Sequence, residues 1–545
     1  MKQEIQKLIE KAVKDLGYEM GEVEVDYPKV ETFGDYTTNV AMVLAQTLKK
    51  NPMEIAESLK LGFEKFLEPS FRKIEIVAPG YINFYLSKEY LQDKVREINE
   101  KENKFGESKI GKGMKVNNEF ISANPTGPLH LGNGRGGFFG DVIGKVLEKA
   151  GYENTNEYYV NDAGGQLVSL WQSVNLNSGE DAIYKGEYIE DLYKKYSKKP
   201  WIIDTFTFEN AFIFSEDILE NIIKKTVKEK MEINFDSWIS EKKDLVDSGY
   251  VEKAIEKLKK KKLTFQKDGA IWLETTKFGD DKDRVLIKKD GQKTYFASDC
   301  GYILNKIDRK FEKIIEVWGA DHHGYISRFR AATEALGFKG ELKFVIVQLV
   351  RLVKDGKEAR MSKRAGNVVY IDELIDEVGL DAVRFFFLMY DANTHMTFDL
   401  GLAKERSEKN PVYYIQYAHA RICSIIRKAN ENPLLSGVPD ILSQRERRNK
   451  VDLKLLTHEK ELSLIRELNK FPQVVEEISQ SYEVHKLPYY AIKLADKFHS
   501  FYNDCKVLDD ENPELTGARL NLINAVRIVL GETLRILGVN APEKM

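Results

Sequence analysis

The sequence predicts an α/β protein of three domains: a doubly wound parallel sheet at its centre, a small α+β domain before it and an all-helical domain after it. Three observations carry this. Residues 115–149 read as a strand, a glycine-rich turn and a helix; strand and helix patterns then alternate to about residue 353; from Ile371 onward only helical periodicity remains. A chain of 545 residues is also too long for one core, and roughly 150 residues per domain gives three or four domains.

Composition bounds the function classes. Hydrophobic residues at 42% and charged residues at 31% are ordinary for a globular protein and exclude disorder on a large scale. A net charge of −3 argues against a general polyanion binder, while local basic patches can still meet an RNA. No run approaches the ~20 apolar residues of a membrane span, so no membrane partner is expected. Cys300, Cys423 and Cys505 are far apart and form no CxxC pair, which points away from zinc and disulfide frameworks and toward a reducing cytoplasm.

Taken in order, the first helix places Ile5, Leu8, Ile9, Ala12, Val13 and Leu16 on one face and stops at Gly17. Its acids, mixed among the lysines, are unlike a transit peptide. Lys73 to Val77 and Tyr81 to Leu86 read as strands, giving an α+β domain over residues 1–108. Residues 105–113 have the Gly/Ser/Lys composition of a linker.

The central domain, 109–380, opens with a strand from Lys115 to Ile121. Asn124-Pro125 and Thr126-Gly127-Pro128 then break the chain, because each proline biases its predecessor away from the helical region. Gly132, Gly134, Gly136 and Gly137 leave the next helix bare at its start, so backbone N–H groups can approach a polyphosphate; the helix itself is expected from Phe138 to Lys149. His130 and Asn133 flank that opening. The segment matches neither a Walker loop nor a dinucleotide fingerprint.

Thr155 to Val160 reads as the next parallel strand, which places a ligand at the C-terminal strand edge. Residues 167–263 turn helical, charged and aromatic, an insertion in the alternation; its run Lys259 to Lys262 reads as a solvated helix end, with RNA contact as the alternative. Strands are expected at Ala270 to Leu273, Val285 to Ile287, Thr294 to Ala297, Lys313 to Trp318 and Leu342 to Val353, with a helix from Tyr325 to Leu336. Glu119 and Asp299 are thus acids beside expected strand ends, with Tyr295 four residues before Asp299. Asp321, His322 and His323 follow a strand; adjacent side chains diverge and no third ligand stands at proper spacing, so no metal is expected there. Residues 381–545 form the helical domain.

Pro125, His130, Gly132 and Asn133 resemble the class I aminoacyl-tRNA synthetase signature Pro-x-x-x-x-His-x-Gly-His, with Asn133 in place of its last histidine. Arg360-Met361-Ser362-Lys363-Arg364 resembles the second signature of that class, the Lys-Met-Ser-Lys-Ser loop. The stretches Glu119 to Pro128, Glu157 to Gly164 and Gly319 to His323 narrow the resemblance to arginyl-tRNA synthetases. It covers nearly the whole chain: Phe33 to Val40 and Pro79 to Phe84 are similar to that family's extra N-terminal domain, which meets the tRNA elbow. Asp381 to Arg384, Gln416 to Arg421 and Leu537 to Met545 are similar to its anticodon-binding domain.

The resemblance implies an arginine–tRNA ligase of the cytoplasm. Its partners would be L-arginine, tRNA(Arg) and ATP, the last as its Mg²⁺ complex, with no tightly bound metal and no DNA. His130, Asn133 and Lys363 would carry catalysis, and Pro125, Gly132, Arg360, Met361, Ser362, Asp321 and His322 would join them around ATP. Glu119, Ser122, Asn124, Tyr295, Asp299 and His323 would hold arginine. Tyr81 and Asn83 would meet the tRNA elbow, with Tyr414, Arg421 and Met545 at the anticodon.

The residues themselves support the substrate. A guanidinium presents five donors in a planar fork, so a selective pocket needs carboxylates placed to accept them and an aromatic or hydroxyl wall. Such a pocket rejects amino acids that leave its buried partners unpaired, so no editing domain is required. Three rival readings stay open at this level: a synthetase for another amino acid, a non-catalytic tRNA-binding paralogue suggested by Asn133, and a nucleotidylyltransferase.

Overall fold

The structure, a computed structural model, describes residues 1–19, 21, 23–64, 69–354, 356–358, 369–431 and 451–545. Its first unit packs α1 (Lys2–Asp15), α2 (Val40–Leu48) and α3 (Pro52–Glu64) on a three-stranded antiparallel sheet, β1 (Tyr36–Thr38), β3 (Tyr81–Leu86) and β2 (Phe71–Val77) in that spatial order. α1 buries Ile5, Ile9, Ala12 and Val13, as its periodicity requires, while Leu16 is left exposed. Ser87 caps α4 (Lys88–Lys101), accepting from the Tyr90 amide at 3.2 Å.

α4 turns away from this unit. Its Gln92 donates to the Leu456 carbonyl at 3.0 Å, and Asn99 bonds both the Asn521 carbonyl (3.1 Å) and Asn524 (2.6 Å), all on the C-terminal helices. The expected linker is likewise packed: Phe105 is buried and stacks on Phe471 with ring centres 6.3 Å apart. One buried aromatic outweighs the loop-like composition around it.

The central sheet is five-stranded and wholly parallel, in the order β11 (Glu341–Val347), β10 (Lys313–Gly319), β4 (Lys115–Glu119), β5 (Glu153–Val160) and β6 (Ser237–Ser240). The chain starts in the middle at β4, winds out to β6, and returns on the other side of β4 as β10. The order reverses between β4 and β10, so the crevice outside their C-terminal ends is where such a sheet takes its ligand. Helix α5 (Leu131–Lys149) crosses behind that edge.

Several sequence expectations are corrected. β6 lies inside the stretch expected to be a helical insertion; the helices α6 (Gly165–Asn175), α7 (Glu187–Tyr196), α8 (Pro200–Ile203) and α9 (Phe208–Ile218) form the crossover from β5 to this edge strand, and α10 (Tyr250–Lys260) follows it. β6 is four residues long and half-buried throughout, so it shows no alternation; the stacking of Trp238 on Tyr158, at 4.4 Å, holds it. β7 (Thr264–Lys267), β8 (Ala270–Leu273) and β9 (Arg284–Ile287) form a separate antiparallel sheet rather than part of the wound one.

The expected strand Thr294 to Ala297 is the start of α11 (Tyr295–Asp308), with the Thr294 hydroxyl as its cap on the Ala297 amide at 3.3 Å. The expected strand Leu342 to Val353 divides into β11 and β12 (Val350–Lys354), which belong to different sheets. β12 pairs with β13 (Lys357–Glu358) and with β14 (Met396–Asp399), a strand in the region expected to be only helical. Between β10 and β11 lies α12 (Ile326–Leu336).

After β13 the described chain runs through α13 (Ile371–Val378), α14 (Leu380–Leu388) and α15 (Leu400–Lys404), then α16 (Pro411–Glu431), α17 (Glu459–Asn469), α18 (Phe471–Ser481), α19 (Lys486–Asp504) and α20 (Pro513–Leu537). One core runs from α1 through α5 to α20, and a second gathers α10, α11 and α12 over the antiparallel sheet. Among the described residues no helix is long and apolar enough to cross a membrane.

Candidate active site

The site is built at the C-terminal ends of β4 and β10. β4 ends at Glu119, and Ile121 and Ser122 then hold φ of 64° and 41°, a left-handed conformation costly for side chains with a Cβ. Hydrogen bonds stabilise the turn: the Ser122 hydroxyl donates to Glu119 Oε1 at 3.0 Å and accepts from the Tyr159 amide at 3.0 Å. Pro125 and Thr126 are buried beyond it, with the Thr126 carbonyl held by the Tyr188 hydroxyl at 3.1 Å; Asn124 stays exposed.

α5 begins at Leu131, earlier than expected, with His130 as its cap. His130 Nδ1 accepts from the amides of Gly132 (3.1 Å) and Asn133 (3.4 Å), and Asn133 Oδ1 accepts from the His130 amide at 3.1 Å. This is a capping box in which an imidazole and an amide replace the usual hydroxyl and carboxylate. An accepting Nδ1 puts the proton on Nε2, and partial burial lowers the ring's pKa against the opposing pull of Asp321. His130 is thus a neutral donor, and Asn133 keeps its Nδ2 donors.

The expected bare N–H groups are corrected here. The amides of Gly132 and Asn133 already serve His130. Gly134 instead admits the Ile371 side chain, which would lie 2.5 Å from an added Cβ. Tyr370 bridges His130, and the Ile371 amide donates to the Leu129 carbonyl at 2.9 Å. The chain therefore emerges against the signature turn directly after residues 359–368. Arg360, Met361, Ser362, Lys363 and Arg364 lie outside the described residues.

Behind the turn is a cluster of acids. Glu119 is 5% exposed, and Asp299 sits half-buried on the second turn of α11. Burial pushes the Asp299 carboxyl up to about 7; Glu241 and Glu119 add to this and Arg328 opposes it. Glu241, buried directly after β6, is also raised, by burial; hydrogen bonds from Ser298 and Tyr159 oppose this and Asp162 adds to it. The sequence reading missed Glu241 because its strand was missed. Tyr295, exposed at the mouth, accepts from the Gly165 amide at 3.1 Å.

Asp321, His322 and His323 form the exposed rim in a 3₁₀ turn after β10, with His322 Nε2 3.5 Å from Asp321. At the first domain Tyr81 is 41% exposed, but Asn83 is 3% exposed and its Oδ1 accepts from Thr37 at 2.6 Å. The expectation that Asn83 meets the tRNA elbow is corrected: it is buried and fastens β1 to β3. On α16 the Tyr414 ring lies 4.8 Å from that of His499, and the Arg421 guanidinium stacks over Tyr502 at 4.3 Å. The exposed tail to Met545 runs along the same helix, its Pro542 carbonyl 2.9 Å from His419 Nδ1.

Among the described residues one group, Asp391, Glu483 and His485, brings three possible metal-ligand atoms within 4.8 Å of one another. It includes none of the site residues, and Glu483 is paired with Lys486 at 2.7 Å.

The parallel sheet, the capped signature turn and the match of residues 94–386 to the family model "tRNA synthetases class I (R), catalytic domain" define a class I tRNA synthetase. The models "Arginyl tRNA synthetase N terminal domain" and "DALR anticodon binding domain" match residues 3–86 and 415–545. The arginine–tRNA ligase of Bacillus subtilis (strain 168) is 44% identical, covering 100% of this chain and 98% of its own length. That of Listeria monocytogenes (strain EGD-e) is also 44% identical, covering 97% of this chain and 95% of its own. The chain belongs to the arginyl-tRNA synthetase family. The solved Thermus thermophilus arginyl-tRNA synthetase, 22% identical, shares the fold over 100% of both chains with a TM-score of 0.76.

Proposed function

We propose that this chain ligates arginine to tRNA(Arg), with Glu119, Asp299 and Glu241 as the seat of amino-acid choice. One observation carries this: three carboxylates converge at the sheet's ligand edge, two of them with raised pKa values, and Asp299 faces both of the others. A planar cation with five donors fits that excess of negative charge. Tyr295 closes the mouth; by the family resemblance Ser122 and Asn124 would stand near the α-amino and carboxylate groups of arginine, and His323 would line its pocket.

In the first step an arginine carboxylate oxygen attacks the α-phosphorus of ATP, and the bond to pyrophosphate breaks. Mg²⁺ enters with ATP as part of the substrate. Negative charge gathers on the phosphate oxygens, where the His130 Nε2–H and the Asn133 amide act as preorganised donors and Lys363 of the second signature supplies a positive charge. Pro125 and Gly132 shape the turn beneath the nucleotide, and Asp321, His322, Arg360, Met361 and Ser362 complete its surroundings. In the second step the 2′-hydroxyl of the tRNA terminal ribose attacks the arginyl carbonyl and AMP leaves.

On this reading residues 1–108 meet the tRNA elbow through Tyr81. Residues 109–380 do the chemistry, their 167–263 stretch including the helical crossover, and residues 381–545 meet the anticodon through Tyr414, Arg421 and Met545. The work belongs in the cytoplasm, which suits three buried free cysteines, Cys300, Cys423 and Cys505. ATP–pyrophosphate exchange, run with arginine, glutamate or cysteine and with or without total tRNA, tests the reading. Exchange with arginine alone, and only when tRNA is present, is expected; exchange with another amino acid overturns the pocket, and none despite tRNA binding makes the chain a binding paralogue.

A further inference from the structure

We infer that Lys306 is a positioning residue for arginine binding: its buried ammonium anchors Glu119 by Oε2 and so turns Oε1 toward the guanidinium. This rests on the pocket reading above and adds a part of the machinery outside the pocket.

The sheet register creates the need. Glu316 of β10, Glu119 of β4 and Glu157 of β5 are partners across three adjacent strands, so three carboxylates stand in one row. All three are buried, at 1%, 5% and 0% exposed. Like charges directly opposite on neighbouring strands are destabilising, the more so away from water. α11 supplies the answer along one face: Asp299, Tyr302, Lys306 and Arg309 follow one another at helical spacing.

Asp299 opens on the pocket and the other three lie over the row. Lys306 Nζ, in a side chain with no exposed surface, is 2.6 Å from Glu119 Oε2 and 2.7 Å from Glu316 Oε1. The Tyr302 hydroxyl lies 2.7 Å from both Glu119 Oε2 and Glu157 Oε1, and Arg309 is 2.5 Å from Glu157 Oε2. Three acids against two cations leave one charge over. Glu316 takes up the difference as a neutral carboxyl, since burial and the neighbouring Glu119 raise its pKa well above the ordinary value.

The consequence for the substrate follows from which oxygen is held. Lys306 Nζ and the Tyr302 hydroxyl lie 2.6 and 2.7 Å from Glu119 Oε2, the Ser122 hydroxyl donates to Oε1 at 3.0 Å, and the neutral Glu316 carboxyl also hydrogen-bonds Glu119. The cation thus fixes the carboxylate by Oε2, and Oε1, on the Ser122 side, is the oxygen presented to arginine. Without Lys306, Glu119 and Glu316 lose the cation that lies between them, and the Glu119 carboxylate loses the contact that fixes its orientation toward the guanidinium.

The test is the arginine KM of the full-length protein in tRNA-dependent exchange, measured from pH 6.5 to 9 beside the ATP KM, for Glu119→Gln, Lys306→Met, Glu316→Gln and Tyr302→Phe. Losing a charge-assisted contact predicts a rise in arginine KM of about tenfold to a hundredfold for Glu119→Gln. Lys306→Met is expected to raise it about tenfold with the ATP KM unmoved, the split between the two substrates being what a merely structural loss would not give. Glu316→Gln keeps a neutral hydrogen-bonding group in place and should raise it less than Lys306→Met does. Tyr302→Phe should show the Lys306→Met pattern more weakly, and it decides the matter if Lys306→Met does not fold.

A loss shared by both substrates in Lys306→Met would overturn the inference, as would a Glu316→Gln defect equal to it. For Tyr302→Phe, an unchanged arginine KM at every pH counts against it when it stands as the deciding variant. If Glu119→Gln leaves the arginine KM unchanged, the pocket reading itself fails. If Glu119→Gln raises it and Lys306→Met does not, only the role of Lys306 fails.

Discussion

Asn133 and Asp299 show how much a single side chain decides here. Asn133 departs from the family signature, yet its carbonyl oxygen completes the cap of α5 and its amide donors stay available. Asn133→Ala removes both, so activation should fall more than tenfold in tRNA-dependent exchange, and thermal melting should show a cap loss of about 1 kcal/mol. An activation rate near normal would deny Asn133 any contact with ATP. Asp299 is held up to about 7 chiefly by burial and then by Glu241. Arginine binds its ionised form, so the arginine KM should rise as pH falls below 7, and binding should release protons in calorimetry run in buffers of different ionisation enthalpy. The stability sign runs the other way: a raised carboxyl pKa favours the fold below the unfolded value and loses that advantage as pH rises through about 7. Asp299→Asn should therefore raise the melting temperature of the ligand-free protein more at pH 8 than at pH 4, while weakening the pH dependence of arginine binding.

At the scale of elements, legibility followed local signals. The strand–turn–helix of β4 and α5 was readable because prolines, glycines and periodic apolar residues all agree there. α11 was misread because Thr294, Tyr295 and Phe296 combine β-branched and aromatic side chains, and only the capping role of Thr294 announces a helix. β6 and β14, at four residues each, owe their existence to partners distant in sequence, so no local pattern could reveal them. Glu241 went unseen with β6, and the bonds that bury Asn83 join strands far apart in the chain. The pocket depends on α11 starting where it does. Thr294→Ala should cost about 1 kcal/mol in denaturant unfolding and raise the arginine KM while the ATP KM stays put, and Thr294→Ser should restore both. Equal loss for both substrates would separate the cap from the pocket.

Across the whole molecule, the words that carried the family resemblance turn out to be joined to one another. Asp381 accepts from the Gln416 side chain at 2.7 Å and from the Asn540 amide at 3.0 Å, tying the start of α14 to α16 and to the tail. Arg384, fully buried, donates to the Leu537 carbonyl at the end of α20 (3.0 Å), to the Met231 carbonyl (2.7 Å) and to Asp141 on α5. The helix capped by His130 is thereby fastened to the C-terminal domain through one guanidinium. Removing one partner of a buried pair leaves the other charge uncompensated, at a cost of about 3–5 kcal/mol. Lys145, 2.8 Å from Asp141, softens that cost. Arg384→Met should therefore lower stability by about 3 kcal/mol and split guanidinium unfolding into two transitions, one followed by tryptophan fluorescence, since Trp171, Trp201, Trp238, Trp272 and Trp318 all precede residue 381, and one by helical circular dichroism. A single coincident transition would mean that the apolar contacts between α5 and α20 couple the two domains without Arg384.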